Sequence, residues 1–169
     1  MKTAIVYSHK AVKTTQAAKM IKKDLGIDHI DDIDIESISP DKLKDYNLLI
    51  LGVPTWFDGE LPYYWDEVVP ALEDINFRNI KVAIFGNGDQ VKHPENFGDA
   101  VGIIAEVFEN SGATIIGNTS INGFTFESTR AIRDGKFIGL VLDFENQHKQ
   151  NAGRIKDWTK EIKAIVNKS

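Results

Sequence analysis

Apolar residues fall into short continuous runs separated by segments of helical spacing. The most apolar run, Leu48-Leu49-Ile50-Leu51, lies in the segment 47–53 and stops at Pro54. A run this short, ended by turn residues, predicts a strand buried on both faces. Similar patterns predict five further strands, at residues 2–7, 30–35, 79–85, 113–116 and 137–142.

Helical spacing separates these strands. Ala17, Ala18, Ile21 and Leu25 share one face of a predicted helix that ends before Gly26. In all, the patterns predict helices at residues 14–25, 39–46, 60–72, 97–110 and 154–166, with Pro70 expected to kink or fray the third. Because strands and helices alternate, we predict one α/β domain over residues 1–169, with a parallel sheet covered by helices on both faces.

Two loops do not fit a purely structural role. The loop Pro54–Gly59 places Trp56 and Phe57 just past the carboxyl end of the buried strand, where open α/β sheets bind ligands. Stacking on a flat ligand and covering the core both explain these aromatics. The segment 117–136 has no clear period, but its apolar residues indicate that it packs rather than remaining disordered.

The amino-acid composition excludes several kinds of functional site and disfavours some partners. The chain has no cysteine, which excludes disulfides, thiol nucleophiles and cysteine-held clusters, so redox chemistry would require an organic cofactor. The net charge of −5 disfavours nucleic acid as a partner. No apolar run approaches the roughly 20 residues of a membrane span, and the start of the chain has no secretory signal, so we expect a cytoplasmic protein without membrane contact. The four histidines share no metal-ligand spacing, so we expect no metal.

Three blocks of sequence resemble long-chain flavodoxins. Leu51–Trp56 with Gly59–Leu61 resembles the first flavin loop of that family, and Phe85–Val91 with Glu95–Ala100 resembles the second. The segment from Asn122 to Leu140 resembles the family's insertion. The resemblance implies a flavodoxin-like three-layer sandwich with strand order 2-1-3-4-5 and an insertion that splits strand five.

The resemblance also implies a cofactor and a function. Flavodoxins hold FMN non-covalently and carry single electrons at low potential, without a substrate site or catalytic residues of their own. It implies a monomer that accepts electrons from a ferredoxin-NADP-type reductase or a photosystem-type donor and passes them to ferredoxin-dependent acceptors. The positions assigned to the cofactor are Ser8, His9, Lys10, Ala11, Val12, Lys13, Thr14, Pro54, Thr55, Trp56, Phe57, Asp58, Gly59, Gly86, Asn87, Gly88, Asp89, His93, Asn96, Phe97 and Glu145.

Individual roles follow from the same resemblance. Trp56 would stack on the inner face of the flavin ring, and the backbone at 57–59 would meet the flavin N5. Asp58 suits this position because aspartate tolerates a positive φ better than a β-branched residue does. Carboxylates at Asp58, Asp89 and Glu145 would oppose added negative charge on the flavin and so lower its potential.

The chain departs from the family at two places. The phosphate loop, Thr-x-Thr-Gly-x-Thr in flavodoxins, is His9-Lys10-Ala11-Val12-Lys13-Thr14 here. Either backbone amides and Thr14 still hold the phosphate, with charge from His9, Lys10 or Lys13, or the loop has lost phosphate affinity. His93 stands where the family usually has a tyrosine that stacks on the outer flavin face. Either its imidazole stacks there over a smaller area, or His93 is an exposed loop residue.

Two other functions remain open. A flavodoxin-like quinone or flavin reductase would oxidise NADPH itself, although no dinucleotide fingerprint follows the first strand. A flavin-free binding module is suggested by the altered phosphate loop.

Overall fold

A parallel sheet forms the middle layer of the computed structural model, which describes residues 1–169. Its strands run in the order β2-β1-β3-β4-β5, with β9 also paired to β4, and every pair in it is parallel. The nine strands of the protein are β1 Thr3–Tyr7, β2 Asp31–Asp34, β3 Leu48–Gly52, β4 Lys81–Asn87, β5 Thr114–Ile116, β6 Thr119–Ser120, β7 Ile132–Arg133, β8 Lys136–Phe137 and β9 Leu140–Leu142. The predicted strand order is therefore confirmed.

Helices cover both faces of the sheet. They are α1 Val12–Leu25, α2 Tyr63–Asp66, α3 Val69–Glu73, α4 Asp99–Asn110 and α5 Asn151–Asn167, with 3₁₀ helices at Pro40–Asp45 and His148–Gln150. Alternate residues of β3 enter different cores: Leu49 packs in one hydrophobic cluster with Ile104 of α4, and Ile50 packs in the other with Ile21 of α1. The predicted burial of β3 on both faces is confirmed, since all five of its residues are buried.

The fifth strand is split, as predicted. β5 pairs with Lys81–Ala83 of β4, whereas β9 pairs with Phe85–Asn87 further along the same strand. The chain between them forms a small antiparallel sheet in the order β6-β8-β7. This insertion packs against the core through Phe126, whose ring is stacked on that of Phe97 with centroids 5.7 Å apart.

The helix predicted over residues 60–72 is wrong in its extent. Two short helices, α2 and α3, replace it, and Pro70 lies in the first turn of α3 instead of fraying a helix end. Proline has no backbone N–H and clashes with the preceding turn, so it is favourable at a helix start and unfavourable inside a helix. The indole N–H of Trp65 donates to the Gly52 carbonyl at 3.0 Å, and this hydrogen bond joins α2 to the end of β3.

Three helix starts also differ from the prediction, and one of them is α5, which begins at Asn151 rather than Arg154. α1 begins at Val12 rather than Thr14, so Val12 and Lys13 belong to its first turn. α4 begins at Asp99 rather than Phe97, after Gly98 with φ of 69°. None of the helices is both long and apolar enough to span a bilayer.

Candidate functional site

Two adjoining cavities lie at the carboxyl edge of the sheet. The first, of about 360 Å³, is enclosed by the first turn of α1, the loop after β3 and α2. The second, of about 230 Å³, lies among the loops after β3, β4 and β9. Lys13 and Asn87 line both cavities. Because carboxyl ends of parallel strands share one edge, loops distant in sequence meet here.

The start of α1 faces the first cavity with free donors. Ala11 precedes the helix without a side-chain cap, and the first turn carries no acidic residue. The amides of Val12, Lys13 and Thr14 have no acceptor outside the helix, and the first N–H groups of any helix have none inside it. Together with the positive end of the helix dipole, these amides form a favourable site for an anion.

A second unsatisfied donor lines the same cavity. The Tyr64 side chain is only 6% exposed, yet its hydroxyl has no hydrogen-bond partner. Burial, followed by the charge of Glu36, raises the pKa of the Tyr64 phenol, which keeps its proton available for donation. A buried hydroxyl without a partner is unfavourable, so Tyr64 fits a ligand that supplies an acceptor.

Glu36 places a carboxylate on the wall of the first cavity. Its oxygens accept hydrogen bonds from the Ser8 hydroxyl at 2.6 Å and the Tyr63 hydroxyl at 3.1 Å, and the Lys10 ammonium lies 3.7 Å away. The Ser8 hydrogen bond is the main reason that the pKa of Glu36 is lowered. Glu36 is therefore anionic at neutral pH.

Aromatic side chains form the other wall. The Trp56 ring contacts those of Tyr63 and Tyr64, with centroids 5.9 and 5.7 Å apart. Reciprocal backbone hydrogen bonds between Trp56 and Glu60, of 2.9 and 2.7 Å, close the loop between them. The positive φ expected at Asp58 is found instead at Phe57, with 45°, and at Gly59, with 89°. Because a positive φ is unfavourable for phenylalanine, the closed loop must hold this conformation.

A carboxylate and an imidazole line the second cavity. Asp89 accepts hydrogen bonds from the amides of Val91 and Lys92 and from the Asn146 side chain, at 3.1, 2.9 and 2.8 Å. Partial burial acts to raise the pKa of Asp89, but these hydrogen bonds outweigh it and lower the pKa. His93 is exposed and lines the same cavity as this carboxylate.

Most of the residues predicted from the sequence line these cavities. Those of the first cavity are Ser8, Lys10, Ala11, Val12, Lys13, Thr14, Pro54, Trp56 and Asn87. Those of the second are Lys13, Thr55, Asn87, Gly88, Asp89, His93 and Glu145. Lys13 and Glu145 also form an ion pair that joins α1 to the loop after β9.

Seven predicted residues line neither cavity: His9, Phe57, Asp58, Gly59, Gly86, Asn96 and Phe97. The His9 ring Nε2 lies 2.9 Å from Asp32 Oδ1 at the edge of the sheet, so this side chain contacts that carboxylate rather than either cavity. Gly86 lies within β4, and Phe97 is fully buried among the aromatics of the insertion. None of these three residues lines either cavity, and their assignment to the cofactor stays a prediction.

Sequence reasoning missed Glu36, Tyr63 and Tyr64, which all line the first cavity. The position of Glu36, two residues past β2, was the available signal, because carboxyl strand ends gather at this edge. The tyrosines adjoin the aromatic loop, but Tyr64 was interpreted only as part of a helix face. The structure contains no group of three or more His, Asp or Glu side chains that could hold a metal ion.

Comparison with known proteins agrees with this arrangement. The family model described as flavodoxin matches residues 5–158. Flavodoxin 1 of Salmonella typhimurium is 40% identical over 166 residues, covering 98% of this chain and 94% of that protein. A flavodoxin of Nostoc is 37% identical over 163 residues, covering 96% of each. The crystal structure of Fusobacterium nucleatum flavodoxin bound to flavin mononucleotide superposes with a TM-score of 0.91 at 32% identity, covering 97% of this chain and 98% of that one. The chain therefore belongs to the flavodoxin family.

Proposed function

We propose that this protein carries single electrons on a non-covalently bound FMN held at the carboxyl edge of the sheet. Flavodoxins are electron-transfer proteins rather than enzymes, and the structural relative from Fusobacterium nucleatum binds flavin mononucleotide. When bound, the flavin supplies the redox chemistry, while the protein determines affinity, orientation and potential. In this proposal residues 1–169 act as one domain.

The observation that carries the proposal is the set of unpaired donors around the first cavity. The free amides of Val12 to Thr14 and the unpartnered hydroxyl of Tyr64 suit a phosphate, which offers several acceptor oxygens. These donors supply an anion site although the loop lacks two hydroxyl groups of the family motif, since backbone amides do not depend on side-chain identity.

The ring is assigned to the space between the first and second cavities. Trp56 offers an aromatic face from the loop after β3, and His93 lies on the loop after β4. Asp89 adds a negative charge whose lowered pKa keeps it ionised at neutral pH. Because like charges repel, this carboxylate opposes electron uptake and lowers the reduction potential.

Apolar side chains around the cavities suit a partner protein. Val12, Phe57 and Tyr63 are exposed at the rim, by 81%, 69% and 53%. In the proposed function this surface docks a ferredoxin-NADP-type reductase or photosystem-type donor, and then a ferredoxin-dependent acceptor. The net charge of −5 would attract a basic docking face. We propose a cytoplasmic monomer, because the same surface must meet two partners in turn.

The decisive experiment measures flavin binding directly. The purified protein is examined for a bound yellow chromophore, and its apoprotein is titrated with FMN and riboflavin. Binding of FMN at micromolar or lower concentration is expected. Failure to bind either flavin would contradict the proposal and favour the flavin-free binding module.

A reductase activity is the second function to test. The pure, FMN-loaded protein should not oxidise NADPH on its own, but its flavin should be reduced when a ferredoxin-NADP-type reductase is added. NADPH oxidation without that reductase would instead support a quinone or flavin reductase.

A further inference from the structure

Glu36 opposes the cofactor phosphate in two ways. Its carboxylate shares the first cavity with the free amides of α1, so a phosphate there would meet a like charge. It also accepts the hydroxyl protons of Ser8 and Tyr63. Each hydroxyl has one proton to donate, so neither can donate to a phosphate while Glu36 holds it.

The surroundings do not neutralise Glu36. Lys10 is the only cation paired with it, at 3.7 Å, and the Lys10 side chain is 79% exposed, so water screens this attraction. Asp34, at the end of β2, adds a second negative charge near Glu36. The Glu36 side chain is only 16% exposed, and it lines the first cavity.

We propose that Glu36 is a specificity-determining residue that competes with the flavin phosphate for the donors of the first cavity. In the flavin-free protein Glu36 accepts hydrogen bonds from Ser8 and Tyr63, so a phosphate can use these two hydroxyls only if Glu36 releases them. Riboflavin has no phosphate and does not meet this competition. The protein therefore prefers FMN over riboflavin less strongly than its free amides alone would allow.

The unpartnered Tyr64 hydroxyl supports this inference independently. It lines the same cavity and is buried, but it is not among the donors that Glu36 holds. The cavity therefore contains two kinds of donor: Tyr64 and the α1 amides are open to a ligand, whereas Ser8 and Tyr63 are occupied by Glu36. A ligand phosphate can accept hydrogen bonds from Ser8 and Tyr63 only if these hydroxyls no longer donate to Glu36.

The inference rests on the proposed FMN function, and the test compares two ligands that differ only in the phosphate. Dissociation constants for FMN and riboflavin are measured by quenching of flavin fluorescence with apoprotein of the wild type and of Glu36→Gln. The glutamine keeps an acceptor for Ser8 but removes the charge. We expect FMN to bind about fivefold to tenfold more tightly to the variant, and riboflavin to change by less than about twofold.

Two further variants make the result specific. Glu106→Gln removes the same charge from an exposed position in the second half of α4, away from the carboxyl edge, and should leave both ligands unchanged. Glu36→Ser provides a second test if the glutamine variant fails to fold, as checked by thermal melting. With either variant, the inhibition constant of inorganic phosphate, measured by competition with FMN and corrected for the FMN affinity, should be lower than in the wild type.

The outcomes separate this inference from the proposed function. If the wild type binds FMN but Glu36→Gln leaves the ratio of the two dissociation constants unchanged, the competition is refuted and the FMN function stands. Weaker FMN binding by the variant would make Glu36 a supporting residue and also refute it. If the wild type binds neither flavin, both proposals fail.

Discussion

Gln90 donates its side-chain amide to Asp143 across 2.8 Å, and both side chains are buried. The backbone amide of Gln90 donates to the same carboxylate at 3.2 Å, and its side-chain carbonyl accepts the amide of Thr125 at 2.7 Å. Gln90 thus links the loop after β4 to the loop after β9 and to the insertion. The second cavity depends on this link because two of its walls come from these loops.

Gln90→Met should destabilise the protein by about 2 to 4 kcal/mol, because it removes the side-chain hydrogen bonds from Gln90 to the buried Asp143 carboxylate and from Thr125 to Gln90. Urea unfolding followed by circular dichroism measures the effect. The exposed Gln16→Met on α1 is the control and should change the free energy of unfolding by less than about 0.5 kcal/mol. Equal effects of the two substitutions would contradict the structural role of the link.

Gly117→Ala should destabilise the protein by about 2 to 5 kcal/mol. Gly117 has φ of 83°, and a Cβ there would lie 2.6 Å from Trp158 Nε1. The Trp158 indole N–H also donates to the Gly117 carbonyl at 2.7 Å, so any shift would disturb this hydrogen bond. Gly135 is a matched control, with φ of 76° and no atom near its added Cβ. Gly135→Ala should lower the free energy of unfolding by only about 1 to 2 kcal/mol. Thermal unfolding measures both variants, and a larger loss of stability in Gly135→Ala than in Gly117→Ala would refute the packing argument.

Asp89→Asn should raise the reduction potential of the bound flavin by about 20 to 60 mV. The substitution removes a negative charge but keeps an oxygen to accept the Lys92 amide. Spectroelectrochemical titration measures the change. Glu106→Gln should leave the potential unchanged, and an unchanged potential in Asp89→Asn would show that this carboxylate does not act on the flavin.

His93→Tyr should tighten FMN binding by about twofold to tenfold, since a phenol ring offers a larger stacking surface than an imidazole. Fluorescence titration of the apoprotein is the measurement. His148→Tyr, at an exposed position in a 3₁₀ helix, is the control. No change in FMN affinity at position 93 would count against stacking and favour a purely exposed loop histidine.

Tyr46 should contribute to loss of stability in alkali. Burial, with a hydrogen bond of 2.7 Å from its hydroxyl to Asp31, raises the pKa of Tyr46 from 10.0 to about 12. Since the folded state holds this proton more tightly than the unfolded state, its contribution is complete below pH 10.0 and is lost as the pH rises to about 12. The free energy of unfolding of Tyr46→Phe should therefore fall less steeply over this interval. Identical slopes for the variant and the wild type would contradict the assignment.

Much of the architecture could be predicted because buried segments have a characteristic spacing of apolar residues along the chain. The run Leu48–Leu51 is apolar at every position and lies at the centre of the sheet, fully buried. The spacing of Ala17, Ile21 and Leu25 places them on the face of α1 that enters the core. Hydrophobic period is a property of neighbouring residues, so one segment is sufficient to reveal it.

The predicted helix over residues 60–72 shows a limit of this spacing: it identifies the buried positions but not the course of the backbone. Its apolar positions were identified correctly, since Tyr64, Trp65 and Leu72 are all buried. The helix is nevertheless interrupted at Glu67 and Val68, which leaves Pro70 in the first turn of α3, because a proline is accommodated at a helix start but disrupts a helix interior. Similarly, the positive φ predicted at Asp58 is found at Phe57. The hydrogen bonds between Trp56 and Glu60 close the loop and hold Phe57 in this conformation.

The sequence by itself determined the alternation of strands and helices, the buried central strand and, through its three matching blocks, the family. Only the tertiary structure decided which side chains share the site. Glu36 meets Ser8 although 28 positions separate them, and Gln90 meets Asp143 across 53. Parallel crossovers bring the carboxyl ends of distant strands to one edge, and the hydrogen bonds formed there depend on distance in space, which no local pattern encodes.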